Sequence, residues 1–196
     1  MLKKRHLYAE KVKKDSKVKH LENDKSWLIQ IILMSFFMTL SLSFFSETVI
    51  PNVSILFSSL ILIFFIVLGI VFDMIGVSAT VADKKIFNSM ASKKVKGSKT
   101  ALFLIKNNSK VSSFCNDVIG DICGILSGGA GITIALSISE SYGINVFIVN
   151  LVLTSLIASF TIGGKAIGKE RAINKSNEIL FRFAKFLDII TFNKLK

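Results

Sequence analysis

Asp117 and Asp121 stand four residues apart in a largely apolar run, so on a helix they share one face, with Asn116 beside them. Two carboxylates and an amide oxygen are hard ligands, suited to Mg²⁺ or Na⁺ rather than to a softer metal. Asp73 lies near the end of a second apolar run. An ionised carboxylate at membrane depth costs at least about 2.5 kcal/mol on insertion scales, so it normally faces a bundle interior or water. The competing reading leaves Asp117 and Asp121 at the end of their helix, solvated or paired with Lys110. Cys115 and Cys123 are eight apart with no His cluster, which points to reduced thiols rather than a zinc site. No nucleophile–base pair, HExxH, P-loop or dinucleotide fingerprint occurs, so no enzyme is expected.

The elements that must position these groups are long hydrophobic blocks. Of the 196 residues 51% are hydrophobic, yet the formal net charge is +12, because the lysines are gathered between the blocks. That separation predicts an all-α membrane protein of four transmembrane helices, over residues 27–45, 53–80, 111–138 and 145–168, with amphipathic juxtamembrane helices. Residues 1–26 form a basic lead without a short apolar stretch ending in an A-x-A-like cleavage site, so the first span is read as uncleaved. Residues 83–110 predict two amphipathic helices in the membrane interface, broken near Gly97. Residues 169–196 predict an amphipathic C-terminal helix for the interface or a partner, with Ile179, Leu180, Phe183, Phe186, Leu187 and Ile190 on its apolar face.

Charge sets the orientation. All 25 Lys and Arg lie in three segments, residues 1–26, 83–110 and 165–196, while the two intervening loops hold only Glu47 and Glu140. The positive-inside rule then expects both termini in the cytoplasm and a multi-pass protein of the cell membrane. Because the basic segments alternate with spans, anionic lipid head groups account for the charge, and nucleic acid is not expected as a partner. Gly120, Gly124 and Gly128 form a small-residue ridge along the third span, suited to close helix packing within the chain or between two chains. Thr161, Gly163, Gly164 and Lys165 interrupt the fourth apolar run, as an ion site in a broken helix or a plain helix end would.

The order of segments, a span opening at Cys115-Asn116-Asp117-Val118-Ile119-Gly120-Asp121 and a span ending in Phe160-Thr161-Ile162-Gly163-Gly164-Lys165-Ala166 resemble the transmembrane domain of the CorC/CNNM (CorB-type) magnesium transporters. The similarity covers about residues 53–190. It implies that Asn116 and Asp117 stand for the two Asn of the family's G-N-N-type motif and Lys165 for the lysine of its G-E-x-x-P-K motif. Ser78 stands near the family's S-E-T-A-type serine. Thr161 occupies the place of the intramembrane Glu, Gly164 that of the Pro, and Gly76 or its neighbours that of the second-span Glu. The family's CBS pair and C-terminal domain do not follow before Lys196, so regulation is expected from a separate partner. The resemblance implies a homodimer that handles Mg²⁺, exchanged against Na⁺, with Asn116, Asp117 and Asp121 at the centre and Asp73, Ser78 and Thr161 as lesser candidates. The alternative is a non-transporting accessory or scaffold protein that works through its basic interfacial helices.

Overall fold

Backbone buried in hydrocarbon has no water to bond, so a chain with apolar runs this long closes its own hydrogen bonds as helices. The computed structural model describes residues 26–44, 46–50 and 53–190, and among them there is no strand. The basic lead before Ser26 and the last residues of the tail lie outside the described residues. The helices are α1 (Ser26–Val49), α2 (Ile55–Val81), α3 (Lys84–Ser92), α4 (Ser98–Lys106) and α5 (Asn108–Ser112). A π-helical turn, Ser113–Ile119, joins α5 to α6 (Gly120–Tyr142), and α7 (Val146–Asn174) and α8 (Ser176–Ile190) complete the chain. Four helical stretches are long and apolar enough to cross a membrane: α1, α2, the continuous run Asn108–Tyr142, and α7. The chain is a multi-pass, all-α membrane protein.

The described residues divide by their packing into two units, one ending at Leu40 and one beginning at Ser41. The first holds the N-terminal part of α1; all later helices belong to the second. Within the second unit α2, α6 and α7 pack on one another as a three-helix bundle. Leu62, Ala130 and Ile134 form its core together with Ile50, and Leu153 and Ile157 close around them. On α2 the side chains of Leu56, Phe57, Leu60 and Phe64, and on α7 those of Phe147, Leu151 and Phe160, are exposed for lipid. Gly143, at φ +66°, ends α6, and the Asn145 side chain accepts from the Phe147 N–H at 2.8 Å to start α7.

The fourth span is neither broken nor ended at its glycines. Helix α7 runs unbroken from Val146 to Asn174 through Gly163, Gly164 and Gly168. A Cβ on Gly164 would collide with the Ile70 side chain, and one on Gly168 would stand 2.9 Å from Met74 Cγ. These two glycines are notches that let α2 and α7 approach, the packing use of small residues between membrane helices.

Beyond the bundle, α3, α4 and α8 fold into a collar around the C-terminal end of α2. Phe87, Ala101, Leu180 and Ala184 are fully buried there with Ala79, and Leu104 joins them. Asp83 begins α3 by accepting from the Lys85 N–H at 2.8 Å, and its own N–H donates to Asn177 Oδ1 at 2.8 Å. Gly97, at φ +86°, opens α4 against Lys185, and Thr100 donates to Asp188 Oδ1 at 2.8 Å. The apolar faces expected to rest on lipid are therefore spent largely on one another. Of the α8 face, Leu180 is buried and Phe183 and Leu187 pack on the collar core, while Phe186, Ile189 and Ile190 stay exposed.

Candidate cation site

Asp73, Asp121 and Lys165 stand toward the collar end of α2, α6 and α7. Counting 1.5 Å per residue from the opposite ends of α2 and α7, Asp73 lies about 27 Å and Lys165 about 28 Å along, near the limit of a hydrocarbon core about 30 Å thick. Asp121 is about 32 Å from the loop end of α6 by the same rise. By this count the residues lie toward the collar end of the spans.

Asn116 and Asp117 point in different directions. In the π turn, as in any helix, neighbouring residues point in different directions, and the turn aims Asn116 at α2 while Asp117 faces outward and is exposed. Asp121 is exposed as well. The two carboxylates do share an outer face, as their spacing requires, but Asn116 is not on it. Both aspartates lie where solvent reaches them without help from a bound ion. Among the described residues no group of three or more His, Cys, Asp and Glu is disposed to hold a metal ion.

What Asn116 meets instead is Gly76. A Cβ on Gly76 would overlap the Asn116 amide, which occupies the space a larger residue there would take. The amide donates to Ser112 Oγ at 3.3 Å, while its Oδ1 is buried without a partner among the described residues. Asp73, three residues before Gly76 on the same face of α2, is 4% exposed, and its Oδ2 is likewise buried without a partner. Gly69, four residues before Asp73, continues the stripe: its Cβ would lie 3.1 Å from Cys123 Cβ and 3.8 Å from the Gly120 carbonyl oxygen. Two buried acceptor oxygens, one of them a carboxylate, therefore line the seam between α2 and the π turn. Unpaired acceptors in a low-dielectric seam are costly.

The remaining candidates take supporting places. Ser78 is fully buried and its hydroxyl donates over a long 3.5 Å to the Ala172 carbonyl of α7, which ties the end of α2 to α7. Thr161 donates to the Ile157 carbonyl within its own helix at 2.7 Å and lines a narrow void with Lys165, Gly69 and Gly120. Lys165 reaches across from α7, and its Nζ lies 3.5 Å from where a Cβ on Gly120 would stand. The glycine ridge divides accordingly. Gly120 is buried inside the bundle, whereas nothing lies within 4 Å of a Cβ built on Gly124 or Gly128. Asn150 was outside the expected set, yet its Oδ1 is a third buried acceptor without a partner. As the one amide in the apolar start of α7 it carried a readable signal. Gly69 did too, four before Asp73.

No protein-family model, no curated protein and no solved structure matches the chain.

Proposed function

We propose that this chain is a minimal cation-handling membrane domain, similar to the transmembrane part of the CorC/CNNM magnesium transporters, which binds a hard cation between α2 and the π turn and moves it across the membrane. The observation that carries the reading is the pair of partnerless buried oxygens, Asp73 Oδ2 and Asn116 Oδ1, on facing helices beside Gly76. Mg²⁺ is the proposed cargo and Na⁺ the counter-ion. One carboxylate and one amide oxygen fit a Mg²⁺ that keeps several of its waters, as Mg²⁺ usually does, and do not form a dehydrated cage. The π turn supports the reading further, because such bulges inside α-helices occur frequently at functional sites. The test is Mg²⁺ movement into and out of proteoliposomes read with a Mg²⁺-sensitive dye. Sustained flux supports a transporter; no flux from protein shown to be folded abandons it.

The proposal extends to topology and assembly. The segregation of Lys and Arg supports a cell-membrane protein with the collar and both termini in the cytoplasm. An impermeant thiol reagent should label a cysteine placed at Ser141 from outside intact cells and one placed at Lys96 only after permeabilisation; the reverse pattern would invert the topology. The open positions Gly124 and Gly128 support a homodimer packed along that ridge. Gly124→Ile with Gly128→Ile places its new Cβ atoms in open space within the chain, so it should leave the fold intact and convert a dimer to a monomer in light scattering. An unchanged mass places the contact elsewhere.

A second reading, an accessory or scaffold protein, draws on the collar. Lys84, Lys85, Lys93, Lys94, Lys96 and Lys99 are all exposed on it, beside the exposed apolar Phe186 and Ile189. That combination suits an anionic lipid surface or a separate regulatory partner.

A further inference from the structure

Lys165 is the feature that cation binding alone does not account for. It is partly buried, and among the described residues it makes no hydrogen bond or ion pair. Its ammonium does not turn back to the collar surface. It points into the seam where α2, α6 and α7 meet, beside Gly120, in a void too narrow for water that Gly69, Cys123 and Thr161 also line. Asp73 is one helical turn from Gly69 on the same face of α2, and it too has no cation within 4 Å among the described residues. Gly69 and Gly120, which line the void with Lys165, carry no side chain there. A buried carboxylate and a half-inserted ammonium at one level, each without a direct partner, are the opposite charges of this seam.

We propose that the Lys165 ammonium is a resident cation that competes with the cargo for Asp73. This rests on the cation-handling reading above and adds its regulation. With no ion bound, Lys165 is the countercharge that makes a buried Asp73 tolerable. An entering ion takes over the carboxylate and displaces the flexible lysine. The lysine thus lowers the apparent affinity by the fraction of time it holds the carboxylate, which keeps the ion releasable. An arginine retains the charge; a methionine of similar length removes it.

The experiment is a Mg²⁺ titration of the full chain in detergent, at constant ionic strength, read as the rise in unfolding temperature that preferential binding to the folded state produces. Lys165→Met should respond at Mg²⁺ concentrations at least about tenfold lower than wild type, because its site is vacant of the competitor. It should also be the less stable of the two without Mg²⁺. Lys165→Arg should follow wild type, and Asp73→Asn added to Lys165→Met should abolish the response. A response in Lys165→Met with none in wild type supports the same conclusion, as a stronger competitor. Equal midpoints in wild type and Lys165→Met overturn the competition and leave cation binding standing. No response in either overturns both. Lys165→Gln takes the place of the methionine variant if the latter does not fold.

Discussion

Asp73→Asn should abolish Mg²⁺ flux in proteoliposomes, with a loss of at least about a hundredfold, while the protein stays folded. The carboxylate is 4% exposed, so its attraction for a cation is weakly screened. At an effective dielectric constant of about 20 a pair of unit charges about 4 Å apart is worth about 4 kcal/mol, and part of that is spent stripping water from the ion. A remainder of about 3 kcal/mol corresponds to a factor of about a hundred or more in affinity. Asparagine keeps the shape of the side chain and takes a charge out of a buried position, so the helices should still fold. Asp117→Asn and Asp121→Asn are the contrasting arm. Both residues are exposed, and exposed charges contribute at most about 1 kcal/mol to a pairwise interaction, so their flux should fall by no more than a few fold. The opposite ranking, with Asp121→Asn silent and Asp73→Asn active, would move the site to the outer face of α6 and end the assignment of Asp73.

That contrast is also a measure of what sequence can carry. Helix content and the four spans were legible, because twenty-odd apolar residues in a row have one solution in a bilayer. The two amphipathic helices around Gly97 were legible from their spacing, and Asp73 and Asn116 were legible as polar residues in apolar surroundings. Which way each pointed was not. A π turn needs one extra residue in a helical turn, and nothing in Ser113–Ile119 announces where it falls. Its position nonetheless decides that Asn116, and not Asp117, meets Gly76. The notch itself is a relation between two helices: Gly76 has meaning only once Asn116 lies against it. For the same reason Gly164 and Gly168 read as an interruption in one dimension and prove to be a packing face in three. The apolar face of α8 was legible and its cover was not, since periodicity shows that a face exists and is silent about how much of it the chain's own α4 takes.

Phe87→Ala should open the collar and leave the spans folded. The ring is fully buried among Ala79, Ala101, Leu104, Leu180 and Ala184, and it lies 6.3 Å from the ring of Phe181. Truncating a buried phenylalanine costs about 3–5 kcal/mol, and the methyl groups of the alanines around it are too short to fill the gap. The collar is small, and a loss of that size approaches what holds such a unit closed. Trypsin should therefore cut at Lys93, Lys94 and Lys96 at least about a hundredfold faster than in wild type, following the population of the open form. Circular dichroism should lose only the share contributed by the short helices. Cleavage at the wild-type rate would mean that the lipid-embedded ends, not Phe87, hold the collar. The same variant separates the two functional readings. The end of α2 that follows Asp73 is tied to α8 through Asp83 with Asn177 and to α7 through Ser78 with Ala172, so a transporter that uses Asp73 should lose part of its flux when these junctions loosen. A scaffold that works through exposed lysines should lose its binding altogether, because the lysines of α3 and α4 are held in one surface only while Phe87 joins those helices to α8.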